Sequence, residues 1–209
     1  MNGNLADALR RFASPSLDAT SGAAAAFAGS VGAALLCMVA RVALKRRPTS
    51  PVKDDLTLLL RQAEAKQHEF EVLIESDPEA YRHVARWRRE MRQNPSAGSH
   101  LQEALKEATK VPLDIARASY ACLEVAASLA DIGEPETMAE VGTGAHLCYA
   151  ALHGALYTAA ANLKDIGDLS FVANVRAESS GLARAGDILN KVATRVAEIT
   201  CANKTLQRS

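Results

Sequence analysis

The sequence predicts an all-α fold, a single domain over residues 1–209 whose core spans about 5–200, built from about seven long packed helices. Three observations carry that expectation. Alanine, the strongest helix former, makes up about a fifth of the 209 residues. Aromatic residues are only 4% of a chain that is 48% hydrophobic, and β-branched residues are scarce, so a sheet has little to be built from. Proline and glycine are few and well separated, leaving apolar stretches long enough for helices of several turns. A chain of this length buries roughly 70% of its unfolded surface, which is enough for one substantial core.

The elements follow in order. Residues 5–12 read as a short amphipathic start and 14–22 as a loop. The first long helix is expected over 22–44. Its 19–40 stretch has no charge but is made of Ala, Gly, Ser and Thr more than of Leu, Ile and Phe, so a buried core helix is favoured over a membrane span. The run GSVGAA (29–34) would let a second backbone approach closely. RRPTSP (46–51) is a turn, because Pro48 and Pro51 exclude helix continuation. Residues 54–74 repeat apolar positions at helical spacing, through Leu56, Leu59, Leu60, Ala63, Phe70 and Leu73. At SDPE (76–79) the pattern either restarts or kinks, and it then continues to about 92. NPSAGS (94–99) is a loop and cap, and 101–130 a long helix interrupted near Val111-Pro112. DIGEPE (131–136) is a stop followed by a start, 138–163 a second alanine-rich helix, and Gly167-Asp168 its break. One helix over 171–201 closes the domain, and the polar tail beyond it frays.

Charge narrows the partners. With 24 basic and 24 acidic residues the chain lacks the clustered positive charge of a nucleic-acid binder, so neither nucleic acid nor membrane is expected as a partner. Cys37, Cys122, Cys148 and Cys201 show neither a CxxC nor any paired spacing, which suits reduced core thiols and a cytoplasmic protein. The start MNGNLADALRRF lacks a basic region followed by an apolar run, so no signal peptide is expected.

Chemistry-bearing motifs are sparse. The nucleotide, metalloprotease and hydrolase-elbow signatures are missing, and no metal or cofactor is expected. His146 and His153 share a face of the 138–163 helix, but without an i,i+4 pair or carboxylates they read as polar spots rather than ligands. SDPEA (76–80) has two readings. In one, Ser76 or Asp77 caps a helix that begins at Pro78, with Glu79 favouring its dipole. In the other, Asp77 is a carboxylate held at a bend and available for acid/base work.

Several stretches together resemble the formiminotetrahydrofolate cyclodeaminase and methenyltetrahydrofolate cyclohydrolase family. They are AGSVGAALLCMVA (28–40) with the following Lys45-Arg46-Arg47, SDPEAY (76–81), LQEALKEATKVPLDIA (101–116) and AALHGALYTAAANLKDI (150–166). The resemblance implies a cyclodeaminase-like helical bundle, a homodimer or higher homo-oligomer, and a folate cleft near the subunit contact. It further implies that Asp77, in the family's D-x-E-A-[FY] phrase, is the catalytic acid/base. Lys45, Arg46 and Arg47 would meet the glutamate tail of folate or, equally, favour their own helix C-terminus. Asn162 and Lys164 match the family's NLK.

The departures are informative. Where the family reads P-G-G-G-S, this chain has Ala19, Thr20, Ser21, Gly22 and Ala23, so hydroxyls stand where bare backbone would meet the ligand. The family's L-P-K phrase is replaced by WRREMRQNPSAG (87–98), and its Ser-Asp pair by Ala139-Glu140, which moves the carboxylate outward by one methylene. A kept scaffold with altered ligand-facing motifs favours a cyclodeaminase-type enzyme acting on a small non-folate metabolite by ring closure, elimination or hydration. The alternatives are a genuine folate one-carbon enzyme, with a tetrahydrofolate derivative as substrate, and a non-catalytic helical assembly module. The expected site is Asp77 for catalysis, with Thr20, Ser21, Gly22, Glu140, Asn162, Lys164, Lys45, Arg46 and Arg47 holding the substrate.

Overall fold

The computed structural model describes residues 5–14 and 20–206, the last with side chains to 201. The expected loop over 14–22 therefore lies outside the described residues except at its two ends, as do positions 207–209 of the tail. The described residues form seven α-helices and three short 3₁₀ turns, with no strand among them. The helices are α1 (Leu5–Ala13), α2 (Ser21–Arg46), α3 (Lys53–Gln93), α4 (Gly98–Ile132), α5 (Met138–Asn162), α6 (Leu169–Leu182) and α7 (Ala185–Leu206).

Helix α2 is the centre of the bundle. It packs against α3, α4 and α5, while α4 also packs on α3 and α5, and α7 lies over α4 and α5. That position explains why α2 has no polar face: residues on several sides of it, among them Ala26, Ala33, Leu36, Val39 and Ala40, are wholly buried. It is long and apolar enough to cross a membrane, but here its neighbours are protein. Small side chains let α2 and α5 close on each other. A Cβ on Gly32 would come within 2.6 Å of Cys148 Sγ and 2.9 Å of the Gly144 carbonyl oxygen, so neither helix could carry a larger residue at that crossing without separating. Cys37, Cys122 and Cys148 are buried free thiols in this core, and Cys201 is exposed.

Neither the restart offered at SDPE nor the interruption expected near Val111-Pro112 divides its helix. Helix α3 runs through Pro78 and α4 through Pro112 as continuous elements. A proline lacks the N–H that would bond the carbonyl four residues back, and usually kinks the helix there. In α3 the flanking Leu73, Ile74, Asp77 and Pro78 are buried on one face, so the segment around the missing bond is packed against its neighbours. The SDPEA segment is thus not a helix start, and neither Ser76 nor Asp77 caps α3; the Ser76 hydroxyl instead donates to the Val72 carbonyl at 2.9 Å. The C-terminal region differs in the other direction. The single helix expected over 171–201 is two, parted at Ala183-Arg184, just after a Ser179-Ser180-Gly181 run of weak helix formers. Helix α6 starts where its expected break lies, with the Asp168 carboxylate accepting from the Phe171 N–H at 3.0 Å. Helix α7 continues through the segment beyond Cys201 as far as Leu206.

Candidate functional site

Asp77 lies in the middle of α3 and points at the first turn of α2. Only 5% of it is exposed. Thr20 is the N-cap of α2: its hydroxyl oxygen accepts from the Ala23 N–H at 3.3 Å and its hydroxyl hydrogen is donated to Asp77 Oδ2 at 2.5 Å. Gly22, in the same turn, faces the carboxylate so closely that a Cβ there would fall inside it. The glycine at this position is therefore demanded by the approach of Asp77 rather than by backbone conformation. Burial pushes the Asp77 carboxyl above the usual carboxylate range, while the Thr20 hydroxyl and the Ala23 N–H act the other way. The outcome is a carboxyl group more easily protonated than an ordinary aspartate, next to a helix N-terminus.

The carboxylate opens onto a cavity of about 490 Å³ between α2, α3, α4 and α5. Helix α3 contributes Tyr81, one turn after Asp77 on the same face. Helix α5 contributes Gly154, Thr158 and Asn162, at i, i+4 and i+8, and the exposed Tyr157 beside them. The Thr158 hydroxyl donates to the Gly154 carbonyl at 3.0 Å, so the 2.8 Å contact between Ser21 and Thr158 is a bond donated by Ser21. This bond ties the start of α2 to the end of α5 across the cavity. Asn162 has a definite partner: its side-chain amide donates to the Ala108 carbonyl at 2.7 Å. That carbonyl is the one left without an i+4 N–H by Pro112. Asp77 is the only charged side chain in the described lining.

The structure thus brings together Thr20, Ser21, Gly22, Asp77 and Asn162. Lys164 sits in the exposed 3₁₀ turn directly after Asn162, outside the lining. The remaining expected site residues are far from this cavity in the single chain. Lys45, Arg46 and Arg47 end α2, about 37 Å along the helix from Thr20. There Arg46 pairs with Glu136 at 2.9 Å, and Arg47 pairs with Glu134 and donates to the Ile132 carbonyl at 2.5 Å, which fastens the α4–α5 connection. Glu140 is in the first turn of α5, about 21 Å before Gly154. His83 lines a neighbouring cavity of about 460 Å³ between α3 and α4, where Trp87 and His100 stack at 4.6 Å. His146 is exposed and bonded to the Gly142 carbonyl oxygen at 2.8 Å. Among the described residues no cluster of three His, Cys, Asp or Glu side chains could hold a metal ion. Sequence reasoning missed Thr158 and Tyr157, although the Gly154-Thr158-Asn162 spacing does put a hydroxyl on the face of α5 that carries Asn162.

Comparisons with known proteins agree with this architecture. The profile of the formiminotransferase-cyclodeaminase family matches residues 4–181. A methenyltetrahydrofolate cyclohydrolase of Methylorubrum extorquens is 28% identical over 174 residues, covering 81% of this chain and 84% of the relative. A formimidoyltransferase-cyclodeaminase of Sus scrofa is 26% identical over 178 residues, which are 83% of this chain but only 33% of that larger protein. The crystal structure of formiminotetrahydrofolate cyclodeaminase from Thermotoga maritima superposes with a TM-score of 0.86 at 24% identity, covering 95% of this chain and 98% of that one, and so has the same fold.

Proposed function

This chain belongs to the formiminotransferase-cyclodeaminase family, and from that membership we propose that it acts on a one-carbon derivative of tetrahydrofolate, as a methenyltetrahydrofolate cyclohydrolase with Asp77 as general acid/base. The observation that carries the reading is a single buried carboxylate in an otherwise uncharged cavity of about 490 Å³. The methenyl bridge is an amidinium, a delocalised cation between two nitrogens, and a lone buried carboxylate is its electrostatic complement. Once ionised by that pairing, Asp77 takes a proton from water as the oxygen adds to the bridging carbon. The protonated carboxyl then returns that proton to the ring nitrogen as its bond to the carbon breaks, and the carbinol hydroxyl releases its own proton to solvent as it becomes the formyl oxygen. Water has been added, and the carboxylate is regenerated. A carboxyl whose burial opposes ionisation suits both halves of that cycle.

The folate reading replaces the preference for a non-folate metabolite, which rested on the altered glycine loop and the missing L-P-K. Thr20 and Ser21 supply hydroxyls in that loop, and the relatives at 28% and 26% identity both carry the names of one-carbon enzymes. Closure of a formimino derivative with loss of ammonia requires the same proton traffic and is the second reading, supported by the pig relative. Lys164, exposed two residues beyond Asn162, is a candidate on this chain for the acidic tail of folate. The test is the loss of methenyltetrahydrofolate absorbance on adding purified protein, run beside a formimino substrate with ammonia as readout. Turnover above the uncatalysed rate is expected with the first. No turnover of either, with no rise in melting temperature at millimolar tetrahydrofolate derivatives, would refute the proposal.

A further inference from the structure

Thr20 was expected to touch the substrate, but the geometry gives its hydroxyl other work. A threonine hydroxyl has one hydrogen and two acceptor sites. The hydrogen goes to Asp77 Oδ2 at 2.5 Å, and one acceptor site takes the Ala23 N–H at 3.3 Å. The backbone of α2 thereby sets where the hydroxyl points, and the hydroxyl sets which carboxylate oxygen is occupied. Gly22 makes room for the carboxylate against the first turn of α2, since a Cβ there would overlap it. We propose that Thr20 is a positioning residue for the reaction: it holds Oδ2 of Asp77 as a permanent acceptor and leaves Oδ1 as the oxygen that exchanges the proton with substrate.

The role depends on how few groups face Asp77. From α3 the titratable neighbour in the lining is Tyr81, and from α5 it is Tyr157; α4 contributes Ala108 and α2 only hydroxyls and N–H groups. No Lys, Arg, His or second carboxylate is in the described lining. With no nearby charge to set its ionisation, Asp77 is governed by burial, which favours the protonated form, and by two hydrogen bonds, which favour the anion. Thr20 supplies one of those bonds directly, and it caps the turn that supplies the other.

This inference rests on Asp77 being the acid/base, and its test can be read without turnover. The Asp77 carboxyl is titrated by carbon-13 NMR in aspartate-labelled protein, its resonance assigned by its absence in Asp77→Asn. Thr20→Val removes the hydroxyl at constant shape. Thr20→Gly removes it while keeping most of the N-cap stability, and Thr20→Ser keeps it. The midpoint should rise by about one pH unit in the valine and glycine variants, as expected for loss of one charge-assisted hydrogen bond, and stay at the wild-type value in the serine variant. The acid limb of kcat against pH should move with it. A cap with no other role would lower the melting temperature and leave both profiles in place. An unchanged midpoint in folded Thr20→Gly, or an equal rise in Thr20→Ser, would overturn the inference. If the midpoint moves as expected but no folate is turned over by wild-type protein, the proposed reaction fails and the positioning role stands.

Discussion

Asp77 shows how the setting of one residue depends on a helix distant in sequence. Helix-capping logic places it at the start of a helix, and it does meet a helix N-terminus, but that of α2 rather than its own. The difference governs its chemistry. As an exposed cap it would ionise readily; buried against Gly22, it is pushed above the ordinary range. The unfolded chain ionises at the ordinary value, so folding stability falls as pH rises from there through the raised folded value, then levels off. Asp77→Asn removes that loss while its amide oxygen still accepts from Thr20. The melting temperature of Asp77→Asn relative to wild type should therefore increase from about pH 4 to pH 7, the reverse of what loss of a stabilising cap would give. Turnover should fall by about 10²- to 10⁴-fold. A variant that loses stability evenly at both pH values would show that the carboxylate is a structural group.

The helices were legible where side-chain spacing alone decides, and less so where proline intervenes. Local rules end or kink α3 at Pro78 and α4 at Pro112, because they weigh a missing hydrogen bond against nothing. In the folded chain each proline has neighbours. For Pro112 the compensation is explicit: the carbonyl it frees, at Ala108, accepts from Asn162 on α5. No one-dimensional pattern connects residues 54 positions apart, so the partner was invisible from either segment. The arrangement predicts a coupling. Asn162→Ala should destabilise by about 1–3 kcal/mol by leaving a half-buried carbonyl unpaired. In a Pro112→Ala background the restored N–H can bond Ala108 within the helix, and the same Asn162 change should then cost much less. Denaturant melts of the four proteins measure this, and additive effects would rule the compensation out. The split between α6 and α7 was missed for a related reason, since two serines and a glycine weaken a helix without announcing where it breaks.

Across the molecule, the alanine-rich, low-aromatic composition becomes a bundle in which α2 is wrapped by α3, α4 and α5 at short distances. The same small apolar residues continue outward. Val31 on α2 and Tyr157 on α5 are exposed in the single chain, Tyr157 by 73% although it also lines the cavity. The expected homodimer would cover exposed apolar positions of this kind. Light scattering coupled to size exclusion should return about twice the 22.2 kDa chain mass, and a monomer at micromolar concentration would count against it. A second chain would also be a source for the positive charge that the described lining lacks.

Composition and spacing sufficed for the all-α class, the succession of helices through α5 and the small-residue run on α2 that admits a second backbone, because helix propensity and apolar period act over neighbouring residues; that α5 is the partner there came from the fold. The family phrases singled out Asp77 for the same local reason. What came only from folding is which distant groups share a space. Thr20, Asp77 and Asn162 converge on one cavity, while Lys45, Arg46, Arg47 and Glu140, equally good candidates in the sequence, lie at the far ends of α2 and α5. A helix carries a residue 1.5 Å per position along its axis, and its length and packing partner decide where that residue arrives.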